Sequence, residues 1–221
     1  MLNNIENLVN SFFNSKLYLQ NTDMCNLSTK HGSDKGSRHN YTTFYNLIFD
    51  SVKLESLNIF EVGLGTNNIN VPSNMGISGR PGASLRLWKD YFPNSLIYGA
   101  DVDEGCLFQE ERIKTFFVDQ TNSETIQKMW LDNFEKTEFD ILIDDGLHEF
   151  NANKNFFDNS ILKLKKGGIY ILEDIDDSYV DDVKLWFDNL ISENKYTYIN
   201  IVTLPIATDV QSNNRIGIII K

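Results

Sequence analysis

Asp145, His148, Glu173 and Asp174 are the residues whose types and spacing are best suited to chemistry. Ile141, Leu142 and Ile143 form a short apolar run of the kind found in a strand covered on both faces. Asp144 and Asp145 cannot extend that run, because an unpaired buried carboxylate is costly. They belong at the open C-terminal edge of a sheet, where α/β folds bind their ligands. Gly146 permits a sharp turn that lets His148 fold back toward Asp145. A later run, Gly-Gly-Ile-Tyr-Ile-Leu, ends in Glu173 and Asp174 in the same way. If the two strands are neighbours, Asp145, Glu173 and Asp174 converge. Three carboxylates are a hard-oxygen set suited to Mg²⁺, Mn²⁺ or Ca²⁺ and not to zinc. Without a cation they would repel one another, and some would stay protonated. The competing reading makes these acids exposed caps on the helices that follow.

A second group points to a nucleoside. Glu61-Val-Gly63-Leu-Gly65-Thr66 follows the first apolar strand, and its glycines let backbone approach a ligand closely. Asp101 ends the next strand, where an acid can accept both hydroxyls of a ribose. Asp119 ends the third and is placed to accept from an adenine amino group. The dinucleotide pattern of three glycines is not completed, since position 68 is Asn and a long loop precedes the helix. Glu61, Gly63, Gly65, Asp101 and Asp119 therefore describe a nucleoside site with no place for a second, phosphate-linked nucleoside. That disfavours a nicotinamide-dependent oxidoreductase.

Alternating strand and helix patterns must position these residues. Strands read over 57–62, 96–100, 115–118, 139–143, 168–172, 196–203 and 216–220, with helices over 43–52, 83–92, 123–134, 151–164 and 179–191. Such alternation implies βαβ units and a parallel sheet with helices on both faces. The last two strands, joined by a loop over 205–215 without helical pattern, pair antiparallel. The expected fold is thus α/β and Rossmann-like: seven strands, mostly parallel, with an antiparallel last strand. The 221 residues form one domain, with a helical and lid-like segment over 1–55 and the core over 56–221. An apolar stripe over 2–16 predicts a first helix that packs on the domain or on a second subunit, so a homo-oligomer stays open. Trp88, Trp130 and Trp186 sit at helical apolar positions expected to be core.

Between them lies a polar segment, Lys30-His-Gly-Ser-Asp-Lys-Gly-Ser-Arg-His-Asn-Tyr-Thr42, read as a loop because its glycines disfavour a helix. It gathers His31, His39, Lys30, Lys35 and Arg38 in a chain of formal net charge −11, which marks it as a ligand-contacting loop. Lys30, Lys35, Arg38 and Arg80 are available to meet phosphates, and equally to be ordinary surface charges. The acidic balance argues against a nucleic-acid substrate. The N-terminus lacks the basic segment and apolar core of a signal peptide, and no run is long enough to span a bilayer. Two cysteines far apart in sequence, Cys25 and Cys106, predict reduced thiols in a cytoplasmic protein.

Taken together, these stretches resemble class I S-adenosylmethionine-dependent methyltransferases, and among them the metal-dependent sugar O-methyltransferases of macrolide, capsular and nucleotide-linked sugars. The resemblance runs from Lys30 to Asp174. It is strongest in Pro-Gly-Ala-Ser-Leu-Arg-Leu-Trp, over 81–88, and in Asp145-x-x-His148 followed by Glu173-Asp174. It implies S-adenosyl-L-methionine as methyl donor, Mg²⁺ (or Mn²⁺) held by Asp145, Glu173 and Asp174, and His148 as general base. It places Glu61, Gly63, Gly65, Asp101, Asp119, Asp144, Ser33 and Lys35 on the cofactor side, and Arg38, His39 and Tyr41 toward a sugar or nucleotide-sugar substrate. In these 221 residues no counterpart of the added N-terminal domain of the macrolide enzymes is expected. A natural-product sugar, a catechol-like diol, or cofactor binding without turnover remain as alternatives.

Overall fold

The apolar runs assemble into one mixed sheet in a computed structural model, which describes residues 5–205 and 214–221. Its strands are β1 (Asn58–Val62), β2 (Leu96–Asp101), β3 (Gln109–Glu110), β4 (Ile113–Phe117), β5 (Phe139–Asp144), β6 (Leu164–Leu172), β7 (Tyr198–Thr203) and β8 (Arg215–Ile220). They lie in the order β3-β4-β2-β1-β5-β6-β8-β7. The pairs among β4, β2, β1, β5 and β6 are parallel. β8 runs antiparallel between β6 and β7, so the hairpin expected of the last two strands forms, with its later arm inserted inside the sheet. Part of the connecting loop, 206–213, lies outside the described residues, as does Leu2 of the predicted first helix.

Among the described residues eight strands stand where seven were expected. The extra one, β3, is two exposed polar residues on the sheet's edge, paired with β4. It has no apolar face, and so carries no alternation to detect.

The helices are α1 (Ile5–Asn14), α2 (Asp23–His31), α3 (Asp34–Ser37), α4 (Tyr41–Phe49), α5 (Ala83–Tyr91), α6 (Ser123–Phe134), α7 (Phe150–Ser160) and α8 (Val180–Ser192). One face of the sheet buries residues of α1, α4 and α5, the other residues of α6, α7 and α8. α1 packs within the chain: Ile5, Val9 and Phe12 are buried, and Phe12 meets Phe44 edge-on at 5.3 Å. All three tryptophans are core, and burying each such side chain contributes about 1.5–3 kcal/mol or more. Both thiols are free. Among the described residues no helix is long and apolar enough to cross a membrane.

The polar segment is more helical than its composition predicts. Thr22 caps α2 by accepting from the Cys25 amide, and Gly32 ends it with φ +77°. Ser33 then caps the single turn α3 by accepting from the Lys35 amide. Caps and tertiary packing overcome poor helix propensity here, as they commonly do.

Candidate active site

Register alone brings the chemistry together. Val62 pairs with Ala100 and with Asp144, and Asp144 pairs with Leu172. The next residues on those four strands are Gly63, Asp101, Asp145 and Glu173, which therefore share one level at the sheet's C-terminal edge. They border a cavity of about 670 Å³ that Asp119, His148 and Asp174 also line. From the opposite wall Ser33, Lys35, Arg38 and His39 reach it. Gly65 completes the rim beside Leu64.

Gly63 shows why its residue type is required. Its φ is +94°, and an added Cβ would stand 1.9 Å from the Asp145 carbonyl oxygen. That is backbone against backbone, so nothing flexible can yield. Gly63→Ala should push β1 away from the Asp145 turn and cost several kcal/mol, roughly 3 or more. Chemical denaturation measures this, and an alanine variant as stable as the parent would refute the close approach.

Lys35 is the electrostatic centre. It is 1 % exposed, and its ammonium donates to Asp145 Oδ2 and to Glu173 Oε2 at 2.6 Å each, with Glu61 Oε1 3.7 Å away. Burial alone would lower its pKa, but Asp145, Glu173 and Glu61 together raise it well above the ordinary lysine value, so it stays charged. Burial and the negative charge of Asp145 push Glu173 well above the usual carboxylate range, against the pull of Lys35. Burial likewise raises Glu61, whose carboxylate accepts from Ser84 Oγ at 2.5 Å and from Trp88 Nε1.

The cation required by clustered acids is thus supplied in part by the chain itself. Both Glu173 oxygens are engaged, one by Lys35 and the other by the Tyr45 hydroxyl at 2.8 Å. The atoms that stand within 4.8 Å of one another, facing the cavity, come instead from Asp145, His148 and Asp174. His148 Nε2 lies 3.9 Å from Asp145 Oδ1 and 3.8 Å from Asp174 Oδ2. The two carboxylates, facing the cavity beside the imidazole, suit a hard dication such as Mg²⁺ or Mn²⁺. With Glu61 and Glu173 nearby and Lys35 the one cation among them in the described residues, the donor set fits such an ion.

His148 and Asp174 both adopt left-handed backbone, at φ 58° and 54°. Non-glycine residues rarely do so, and such strain concentrates at functional sites. His148 Nδ1 is buried with no hydrogen-bond partner among the described residues, so no bond dedicates the ring to scaffolding.

Several residues expected to touch ligands are placed differently. Asp144 is fully buried away from the cavity, accepting from Gln120 Nε2 at 2.7 Å, Asn153 Nδ2 at 3.2 Å and the Tyr170 hydroxyl at 3.1 Å. Burial raises its carboxyl. Glu61 is sealed beneath Ser84 and Trp88. The Tyr41 hydroxyl, 2.6 Å from Asp174 Oδ1, serves an acid and does not line the cavity. Asp101 faces the cavity while accepting from the amides of Leu64 at 2.8 Å and Asp103 at 2.9 Å. Asp119 keeps one oxygen on Thr121. His39 stacks on Tyr41 at 5.0 Å and meets Asn214. Sequence reasoning missed Tyr45 and Gln120. The spacing of Tyr41 and Tyr45, one helical turn apart, was the available signal for the first.

The site thus lies on the acid-lined C-terminal edge of a mainly parallel sheet with an inserted antiparallel last strand. The fold agrees with that of MycE, a methyltransferase of the mycinamycin pathway solved with Mg, S-adenosylhomocysteine and mycinamycin VI. The TM-score is 0.71 at 22% identity, covering 91% of this chain and 54% of that one. In sequence the chain is 32% identical over 161 residues to the mycinamicin VI 2''-O-methyltransferase of Micromonospora griseorubida, covering 71% of this chain and 37% of the relative. It is 31% identical over 156 residues to the 8-demethyl-8-alpha-L-rhamnosyl tetracenomycin-C 2'-O-methyltransferase of Streptomyces olivaceus, covering 71% and 38%. The chain therefore resembles sugar O-methyltransferases while spanning under two-fifths of the length of the curated relatives it matches. No protein-family model matches it.

Proposed function

We propose that this chain is an S-adenosylmethionine-dependent O-methyltransferase that acts on a sugar hydroxyl with the help of a divalent cation. The observation that carries the reading is the grouping of His148 with Asp145 and Asp174 in the same cavity as Gly63, Asp101 and Asp119. The sugar-methylating relatives support it independently. When bound, the cofactor supplies a methyl on a sulfonium leaving group, and a dication lowers the pKa of a hydroxyl it touches.

The chain's own residues do the rest. Asp101 and Asp119 receive ribose and adenine, and Gly63 leaves room for the methionine portion. Asp145 and Asp174 hold the cation. His148 takes the acceptor proton as general base. Arg38, exposed on the cavity wall, is available to a phosphate of the acceptor. That favours a nucleotide-activated sugar destined for capsule or other surface polysaccharide. A glycoside without phosphate is the second reading, favoured by the acceptors named for the relatives.

Calorimetric titration with S-adenosylhomocysteine, with NADH as control ligand, tests the cofactor. Binding of the first and none of the second is expected, and the reverse would sink the reading. Methyl transfer to nucleotide sugars and to simple glycosides, with and without EDTA, then separates the two acceptors. Transfer undiminished by EDTA would remove the cation.

A further inference from the structure

We propose that Tyr41 is a positioning residue for the divalent site, fixing the Asp174 carboxylate so that one chosen oxygen is left for the ion. This rests on the reading that Asp145 and Asp174 bind a dication. The two acids are prepared in the same way from outside the sheet. Lys35, on α3, takes Asp145 Oδ2 at 2.6 Å and leaves Oδ1 toward His148. Tyr41, at the start of α4, takes Asp174 Oδ1 at 2.6 Å and leaves Oδ2 toward the same imidazole nitrogen. The two free oxygens thus converge on one point, although the residues that bear them end different strands.

Asp174 needs such help more than Asp145 does. It lies one residue past Glu173 with left-handed backbone, and its side chain is about a quarter exposed. An unheld carboxylate there would turn freely about its side-chain torsions. Tyr41 is a firm anchor, 1 % exposed and stacked on His39. Its ring has few torsions to lose, and its hydroxyl has no role toward the cavity. Outer partners that orient a metal's carboxylates are commonly worth roughly 10–100-fold in affinity.

The test is Mn²⁺ affinity of the full chain without methyl donor or acceptor, measured by calorimetry and by the Mn²⁺ electron paramagnetic resonance signal. Tyr41→Phe, which keeps the ring, should weaken Mn²⁺ binding roughly 10–100-fold. Tyr170→Phe is the control: it removes a buried tyrosine bond to Asp144, behind the cavity, and should leave Mn²⁺ affinity unchanged. A merely structural effect would move both variants alike, and equal losses would overturn the proposal. In an Asp174→Ala background the further change Tyr41→Phe should cost nothing more, because it acts through Asp174. Wild-type affinity in Tyr41→Phe defeats this inference alone. Failure of the wild-type chain to bind Mn²⁺ defeats the divalent-site reading with it.

Discussion

On the proposed reading, replacing His148 with alanine should lower methyl transfer roughly 10²–10⁴-fold while S-adenosylhomocysteine affinity stays near that of the parent. The split follows from where the ring stands. His148 lies on the turn after β5, apart from the Asp101 and Asp119 edge where the nucleoside is expected, so its loss leaves that contact set intact. Among the described residues it is the only imidazole within reach of both Asp145 and Asp174. A single-turnover assay paired with calorimetry measures the two quantities separately. Full turnover in the variant would move the proton to another group, of which His39, 3.5 Å from Asp174, is the nearest imidazole. Loss of cofactor affinity equal to the loss of rate would instead make His148 a structural element of the turn.

The second large effect falls on stability. Lys35→Met leaves Asp145, Glu173 and Glu61 facing one another without their shared ammonium. Breaking a buried ion pair by removing one partner costs about 3–5 kcal/mol, or a fall in Tm of roughly 6–20 °C for a chain of this size. The pH dependence has a definite sign. Glu173 and Glu61 already lie above the ordinary glutamate value of 4.5 in the folded chain, and loss of the cation raises them further. Acids so raised bind more protons folded than unfolded, so the folded state gains as pH falls from neutrality toward that value. The deficit of Lys35→Met should therefore be largest near pH 8 and shrink toward pH 5. Added Mg²⁺ should recover part of it. Thermal unfolding across that range is the measurement, and a variant as stable as the parent at pH 8 would mean that Lys35 does not neutralise the cluster.

Much of this was legible before any coordinates. Apolar runs that end in Asp, Glu or Gly announce strands whose tips face a ligand, because buried strands tolerate no unpaired acid. That logic alone placed Gly63, Asp101, Asp145 and Glu173 on one edge. It could not say which way each carboxylate turns. Asp144 and Asp145 are adjacent in sequence yet face opposite sides, and only the inward one finds Gln120, Asn153 and Tyr170. Nor could it see that the cation among the acids is Lys35, which lies 110 residues from Asp145 in sequence. Pairings between groups so far apart leave no periodicity to read. The same holds for β3, whose two exposed residues are fixed by an edge pairing and not by hydrophobic pattern.

The place of β8 bears on how the molecule is born. Glu173 and Asp174 sit at the tip of β6, whose outer neighbour is β8, and β7 meets the sheet through β8. On the ribosome β6 emerges first, and its flank stays bare until the last strand of the hairpin has been made. At roughly 5–20 residues per second that is an interval of a few seconds. During it the paired strands through β6 expose an apolar edge, while β7 has no strand to pair with. Slowing translation across α8 and β7 should therefore lengthen the time in which the nascent chain needs a chaperone, without altering the finished protein.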